Sequence, residues 1–172
     1  QHRYLLEQNC FTEMEKQQFT KIMNCDMDEV TAQDALKNLT YYLHHYWKKR
    51  VIILLDEYDT PMQEAYVYGY WDAFTGFIRG LFNSAFKTNP YLERAVMSGI
   101  TRVSKESVFS DLNNLKVVTI TSDEYADCFG FTETEVFDAL DLAGLADKKE
   151  EVKQWYDGFT FGSRKDIYKD RK

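Results

Sequence analysis

The segment that most constrains the fold is a run of five apolar residues, Val51-Ile52-Ile53-Leu54-Leu55, followed at once by Asp56 and Glu57. The run is too short for a stable helix and is rich in β-branched side chains, so it predicts a β-strand. Because all five side chains are apolar, both faces of this strand are expected to be buried, as in a parallel sheet covered by helices. The segment therefore favours an α/β fold.

Two further strands are predicted along the chain, over residues 94–99 and 116–120. Apolar residues recur at helical spacing before the first strand, over residues 31–50. After that strand a helix is predicted to open with Thr60 as its N-cap and Pro61 at its first helical position. Strands that alternate with helices in this way predict an α/β fold with a parallel sheet.

Two capping boxes predict helix starts in the outer parts of the chain. Thr12 and Glu15 form the first, and Thr132 and Glu135 form the second. The C-terminal part that follows the second capping box is predicted to be helical as far as Gly158.

Composition excludes several classes of protein. The chain has 172 residues, of which 44% are hydrophobic, so it is expected to fold around a core rather than remain disordered. Its net charge is −7, and the acidic excess does not support nucleic-acid binding. No apolar run is long enough to cross a bilayer, so no membrane association is predicted. The three scattered cysteines and the absence of a targeting pattern predict a cytoplasmic location.

The acids after the apolar run are the strongest candidates for chemistry. In open α/β sheets, ligands bind beyond the carboxyl ends of the strands, where Asp56 and Glu57 fall. One interpretation is a Walker B segment, in which the aspartate faces Mg²⁺ and the glutamate orients the attacking water. A second is a nuclease-type metal cluster of Asp56, Glu57 and Asp59. That cluster requires a bend, since successive strand residues point to opposite faces. In the third interpretation, the acids only leave the strand and cap the next helix.

Four further motifs resemble those of the AAA-ATPase-like family of P-loop NTPases. They are Met97-Ser98-Gly99-Ile100-Thr101-Arg102, Ser107-Val108-Phe109-Ser110-Asp111-Leu112-Asn113-Asn114-Leu115, Gly130-Phe131-Thr132 and Trp155-Tyr156-Asp157-Gly158-Phe159. With the Asp-Glu-Tyr-Asp segment, the resemblance covers residues 36–168. It implies a three-layer sandwich of the ASCE or AAA-like type. Larger family members often carry a nuclease-like domain of the PD-(D/E)xK type after the ATPase part.

The resemblance also implies roles for individual residues. Asp56 corresponds to the Walker B acid on the magnesium side, and Glu57 to the catalytic glutamate. Thr101 resembles a polar residue of the sensor-1 type, and Arg102 an arginine that faces phosphate or an interface. A cation beside the transferring phosphate would stabilise the charge that develops there. Mg·ATP is the cofactor that these correspondences imply.

The phosphate-binding loop of the family has no counterpart in this sequence. That loop has the pattern G-x-x-x-x-G-K-[ST], whereas the first glycine here is Gly69 and no Gly-Lys pair occurs. Together with Gln1 at the start, this predicts that residues 1–172 are a single partial domain holding the Walker B and sensor-1 half. Its expected partner is the missing N-terminal P-loop segment, or a protein that covers the exposed sheet edge. Alone, the chain is expected not to hydrolyse ATP. The alternative function is a non-catalytic interaction module derived from the same fold.

Overall fold

The computed structural model describes residues 2–7, 10–100, 109, 112, 115–156 and 158–169. By its internal contacts the chain divides into two compact units, Gln1–Asn114 and Leu115–Lys172. The first contains helices and a small parallel sheet, and the second contains helices and a small antiparallel sheet. The predicted mixture of helices and strands, with some parallel pairing, is therefore confirmed.

Two helices open the first unit. Helix α1 spans Glu13–Met23 and helix α2 spans Glu29–Trp47. The predicted capping box at Thr12 is present, because its side chain accepts from the Glu15 backbone while the Glu15 carboxylate accepts from Thr12. A cluster of buried side chains lies between these helices and the short 3₁₀-helical turn Arg3–Glu7, and it consists of Leu5, Phe11, Phe19 and Tyr42.

The elements that position the acidic segment follow α2. Strand β1 spans Val51–Leu55, helix α3 Thr60–Val67, helix α4 Trp71–Phe82 and strand β2 Leu92–Met97. A π-helical turn, Asn83–Lys87, connects α4 to the segment before β2. The predicted bounds of the first strand are confirmed. The second strand begins two residues earlier than predicted and also ends two residues earlier.

Strands β1 and β2 pair in parallel, with Leu54 opposite Val96 and Leu55 opposite Met97. The prediction that both faces of β1 are buried is wrong. The side chains of Ile52 and Leu54 are 58% and 75% exposed, whereas the other three residues of the strand are partly buried. Val96 is exposed beside them. In the described residues, nothing covers this face of the sheet, which we call the open face and define by Ile52, Leu54 and Val96.

The second unit contains both helices and strands. Helices α5, Glu133–Leu142, and α6, Lys149–Tyr156, lie between strand β3, Phe131–Thr132, and strands β4, Phe159–Phe161, and β5, Arg164–Tyr168. Strand β5 is central and pairs antiparallel with both β3 and β4. The capping box of Thr132 and Glu135 is confirmed. The two helices predicted in the C-terminal part are confirmed as α5 and α6, whereas the two strands that follow them were not predicted.

The predicted strand over residues 116–120 is wrong. The segment is irregular and then enters a turn, and its apolar side chains Val117 and Ile120 are exposed. The Thr119 backbone N–H donates to Ser122 Oγ at 3.0 Å, and the Ser122 backbone N–H donates back to the Thr119 carbonyl at 2.9 Å. These local bonds satisfy backbone groups that a sheet would otherwise pair.

The lengths and the composition of the described helices bear on membrane crossing. None of them has both the length and the apolar character that a membrane-crossing segment needs.

Candidate functional site

The carboxyl ends of β1 and β2 bring Asp56 and Ser98 together. Their parallel register continues past the strands, where the Ser98 backbone N–H donates to the Leu55 carbonyl at 2.9 Å. The Ser98 hydroxyl donates to Asp56 Oδ1, which also accepts the Glu57 backbone N–H at 3.0 Å. Among the described residues, both donors to the Asp56 carboxylate reach Oδ1. Neither of these two bonds uses Oδ2 of Asp56. Because the side chain is exposed, Oδ2 is the oxygen that a ligand can reach.

Glu57 follows in a left-handed backbone conformation. Its φ is 51°, which is uncommon for a residue with a side chain. The Glu57 carbonyl accepts the Thr60 backbone N–H at 3.1 Å, so the chain turns sharply from β1 into α3. The bend that a shared acidic site would require is therefore present, and the Glu57 side chain is exposed.

Asp59 is the buried member of the acidic segment, with 1% of the residue exposed. Its Oδ2 accepts the Ile100 backbone N–H and the Gln63 amide, each at 3.1 Å. The Asp59 carbonyl accepts the backbone N–H of Gln63 at 2.9 Å, which makes Asp59 the N-cap of α3. The prediction of Thr60 as N-cap is wrong by one residue, since Thr60 is the first residue of the helix.

The structure does not support the nuclease-type cluster. Across the part of the chain that is described, no group of three histidine, cysteine, aspartate or glutamate side chains could hold a metal ion. Asp59 points into hydrogen bonds with α3 and with the end of β2, so it does not join Asp56 and Glu57. The site therefore offers an exposed pair of acids and one buried acid with a different role.

Two of the four predicted site residues can be placed. Asp56 and Glu57 lie next to each other at the edge of the sheet, whereas Thr101 and Arg102 lie outside the described residues. The sequence reasoning did not pair Ser98 with Asp56. No clear sequence signal indicated that contact, because the predicted strand covered residues 94–99; the observed ends at Leu55 and Met97 place the next residues of the two parallel strands side by side.

A cleft of about 480 Å³ lies elsewhere in the first unit, beside α1 and the start of α2. Its lining includes none of the predicted site residues, and it is open and polar. The lining residues are Met14, Gln17, Gln18, Lys21, Asp26, Met27, Asp28 and Thr31. The cleft therefore adds no residue to the candidate site.

The acidic segment lies within the part of the chain that resembles known proteins. The family model described as predicted AAA-ATPase matches residues 3–109, which include β1, β2 and the acidic segment. An uncharacterised protein in the vnfD 5′ region of Azotobacter chroococcum mcd 1 is 33% identical over 117 residues, or 66% of this chain. The chain spans 22% of the length of that relative. No solved structure matches the chain. On the extent of the family match, the chain belongs to the predicted AAA-ATPase family.

Proposed function

We propose that this chain supplies the Walker B half of an ATP-hydrolysing domain of the P-loop NTPase type. The observation that carries the proposal is the exposed pair Asp56 and Glu57 at the carboxyl end of β1, next to Ser98 at the end of the parallel strand β2. Ligands of open α/β sheets bind at this edge. The finer architecture, a three-layer sandwich of the ASCE type, and a cytoplasmic location belong to the same proposal.

The donor set at this edge suits magnesium. Carboxylate oxygens are hard ligands, and Mg²⁺ is usually held by one or two carboxylates together with phosphate oxygens and water. The bonds from Ser98 and Glu57 fix Oδ1 of Asp56 and so orient the carboxylate. When bound, Mg²⁺ neutralises charge on the phosphate oxygens of ATP. In this chain, Asp56 is the residue that would hold it.

Glu57 is proposed to act as the general base. Its carboxylate is exposed at the sheet edge, one residue beyond Asp56, and the left-handed backbone turns it away from the line of β1. A carboxylate there accepts a proton from water as the water attacks the phosphate. Thr101 and Arg102 complete the proposal as a sensor and a phosphate-facing cation, on the resemblance of their motif alone.

The phosphate-cradling amides are proposed to come from a segment outside this sequence, since no G-x-x-x-x-G-K-[ST] pattern occurs in it. The open face of the sheet also supports the proposal of another segment, which would cover these exposed apolar side chains. Exposed apolar side chains on adjacent strands are unusual where a protein is complete on that side. The same face is what favours the second candidate function, a non-catalytic interaction module.

The central test uses the chain joined to a segment that carries a phosphate-binding loop, which we call the extended protein. We expect it to bind Mg·ATP by calorimetry and to hydrolyse it. Glu57→Gln should retain binding and lose turnover by at least about 100-fold, the range seen when a proton-transfer group is removed. Glu64→Gln, which removes an exposed acid from α3, is the matched control and should retain turnover. Binding without magnesium dependence, or turnover in Glu57→Gln, would refute the assignment.

The open face provides a test that separates the two functions. In the chain alone, Leu54→Thr should change the free energy of unfolding by less than about 0.5 kcal/mol, because the side chain is already 75% exposed. In the extended protein the same change should cost about 2 kcal/mol if the added segment covers the face. An equal small effect in both, with no Mg·ATP binding, would favour the interaction module.

A further inference from the structure

Asp59 is a buried carboxylate that the proposed hydrolysis does not use. It lies three residues beyond Asp56, at the start of α3, and 1% of the residue is exposed. Burying a carboxylate is costly unless hydrogen bonds compensate for the lost water. Because the Asp59 side chain makes no capping hydrogen bond to the backbone of α3, its other contacts must compensate for its burial.

The contacts of Asp59 join two elements. Its Oδ2 accepts from the Gln63 amide, which belongs to the same helix, and from the Ile100 backbone N–H, which lies three residues beyond the end of β2. A backbone donor has a fixed direction, so this bond fixes where the chain goes after the strand. Ile100 itself is 91% exposed, and its side chain therefore contributes little to holding that position.

Gly99 allows the carboxylate to come this close. A Cβ atom at position 99 would lie 2.5 Å from Asp59 Oδ1 and 2.8 Å from Tyr58 Cε1. Tyr58 is held by its own backbone N–H, which donates to the Ser98 carbonyl at 3.1 Å. The segment after β1 and the segment after β2 are thus attached to each other at two successive points, Tyr58 to Ser98 and Asp59 to Ile100.

We propose that Asp59 is a positioning residue, which fixes the Ile100 backbone at the exit of β2 relative to Asp56 and Glu57. This inference rests on the proposed function, because the exit of β2 lies beside the exit of β1, at the edge of the sheet where Asp56 and Glu57 lie. In this role the carboxylate acts through the Ile100 backbone. Misplacement of a catalytic group by about 1 Å is enough to cost about 100-fold in rate.

The first arm of the test measures amide hydrogen exchange in the chain itself by NMR. Asp59→Ala removes the acceptor, so exchange at Ile100 should accelerate by at least about tenfold. The Ser98 amide, which donates to Leu55, is the internal reference and should change by less than about threefold. Equal acceleration at both amides indicates general unfolding, and unchanged exchange at Ile100 would refute the positioning role.

The second arm measures kinetics in the extended protein. Asp59→Ala should lower kcat by about 10–100-fold and change KM for Mg·ATP by less than about twofold, since ground-state binding is retained. Asp59→Asn keeps an oxygen acceptor without the charge and should restore kcat to within about tenfold of wild type. The control variant Glu64→Gln should match wild type in both arms.

The outcomes distinguish failure of this inference from failure of the proposed function. Hydrolysis that is sensitive to Glu57→Gln but unaffected by Asp59→Ala rejects the positioning role alone. If no wild-type hydrolysis occurs, the proposed function fails, and with it the catalytic consequence assigned to Asp59. Should Asp59→Ala not fold, Asp59→Leu, which has the same branched shape but no acceptor, decides the matter. Unchanged Ile100 exchange or unchanged kcat in that variant then contradicts the inference.

Discussion

Alanine substitutions at two glycines are expected to change stability in opposite directions. Gly99 lies where a Cβ atom would approach Asp59 Oδ1 to 2.5 Å, a distance at which something must move. The carboxylate cannot move cheaply, because it is buried and bonded to Ile100 and Gln63. Gly76 lies on an exposed position of α4, and a Cβ atom there would contact nothing within 4 Å.

The magnitudes follow from these surroundings. Gly99→Ala should lower the free energy of unfolding by about 1–3 kcal/mol, the usual cost of forcing an extra methyl group into a filled site. Gly76→Ala should raise it by about 0.5–1 kcal/mol, because glycine in a helix interior is destabilising relative to alanine. In a chain of this size each kcal/mol corresponds to about 2–4 °C in the melting temperature.

Urea unfolding followed by far-UV circular dichroism measures both variants against wild type. The slope of each transition should stay the same, so that the midpoints report stability. A Gly99→Ala variant as stable as wild type would refute the close approach between the β2 exit and Asp59. A destabilised Gly76→Ala variant would instead contradict the open space beside Gly76 on α4.

Three other perturbations follow from single contacts. Tyr41 Oη donates to Glu15 Oε1 at 2.5 Å, and Tyr41→Phe should cost about 1 kcal/mol at neutral pH. This bond lowers the pKa of Glu15 below 4.5 and raises the pKa of Tyr41 from 10.0 to about 12. The wild-type advantage should therefore be complete between pH 4.5 and 10.0, and urea titrations should show it lost as the pH falls through the Glu15 pKa or rises toward 12. Glu57→Gly should raise the free energy of unfolding by about 1 kcal/mol in thermal melts, because glycine adopts a φ of 51° without strain; an unchanged melting temperature would contradict the left-handed turn. The hydrogen bond from Lys153 lowers the pKa of Glu133, so Lys153→Met should raise the Glu133 midpoint in an NMR titration, and an unmoved midpoint would exclude the ion pair.

Local structure followed from the sequence wherever the signal was itself local. The capping boxes at Thr12 and Thr132 form as predicted, because the groups that bond lie within three residues of each other. Strand β1 has the predicted bounds for a similar reason, since β-branched side chains and flanking charges limit its length.

Errors arose where a partner distant in the sequence decides the outcome. Five apolar residues predict a strand, but only packing decides which faces are covered, and Ile52 and Leu54 are exposed. The residues 116–120 have strand composition, yet no neighbouring strand pairs with them in the described part of the chain, and the hydrogen bonds of Thr119 and Ser122 are local. Strand β5 is the opposite case. Three of the five residues in Arg164–Tyr168 are charged, yet the segment forms a strand because β3 and β4 pair with it on both sides.

The sequence by itself determined the acidic pair at the end of β1 and the family to which the chain belongs, because both depend on residue order over short segments. The tertiary structure alone decided the separate role of Asp59. Three acids within four residues look equivalent in the sequence, but the turn at Glu57 leaves Asp56 exposed and directs Asp59 into the protein. There the Ile100 backbone, 41 residues further on, supplies the hydrogen bond that a buried carboxylate requires.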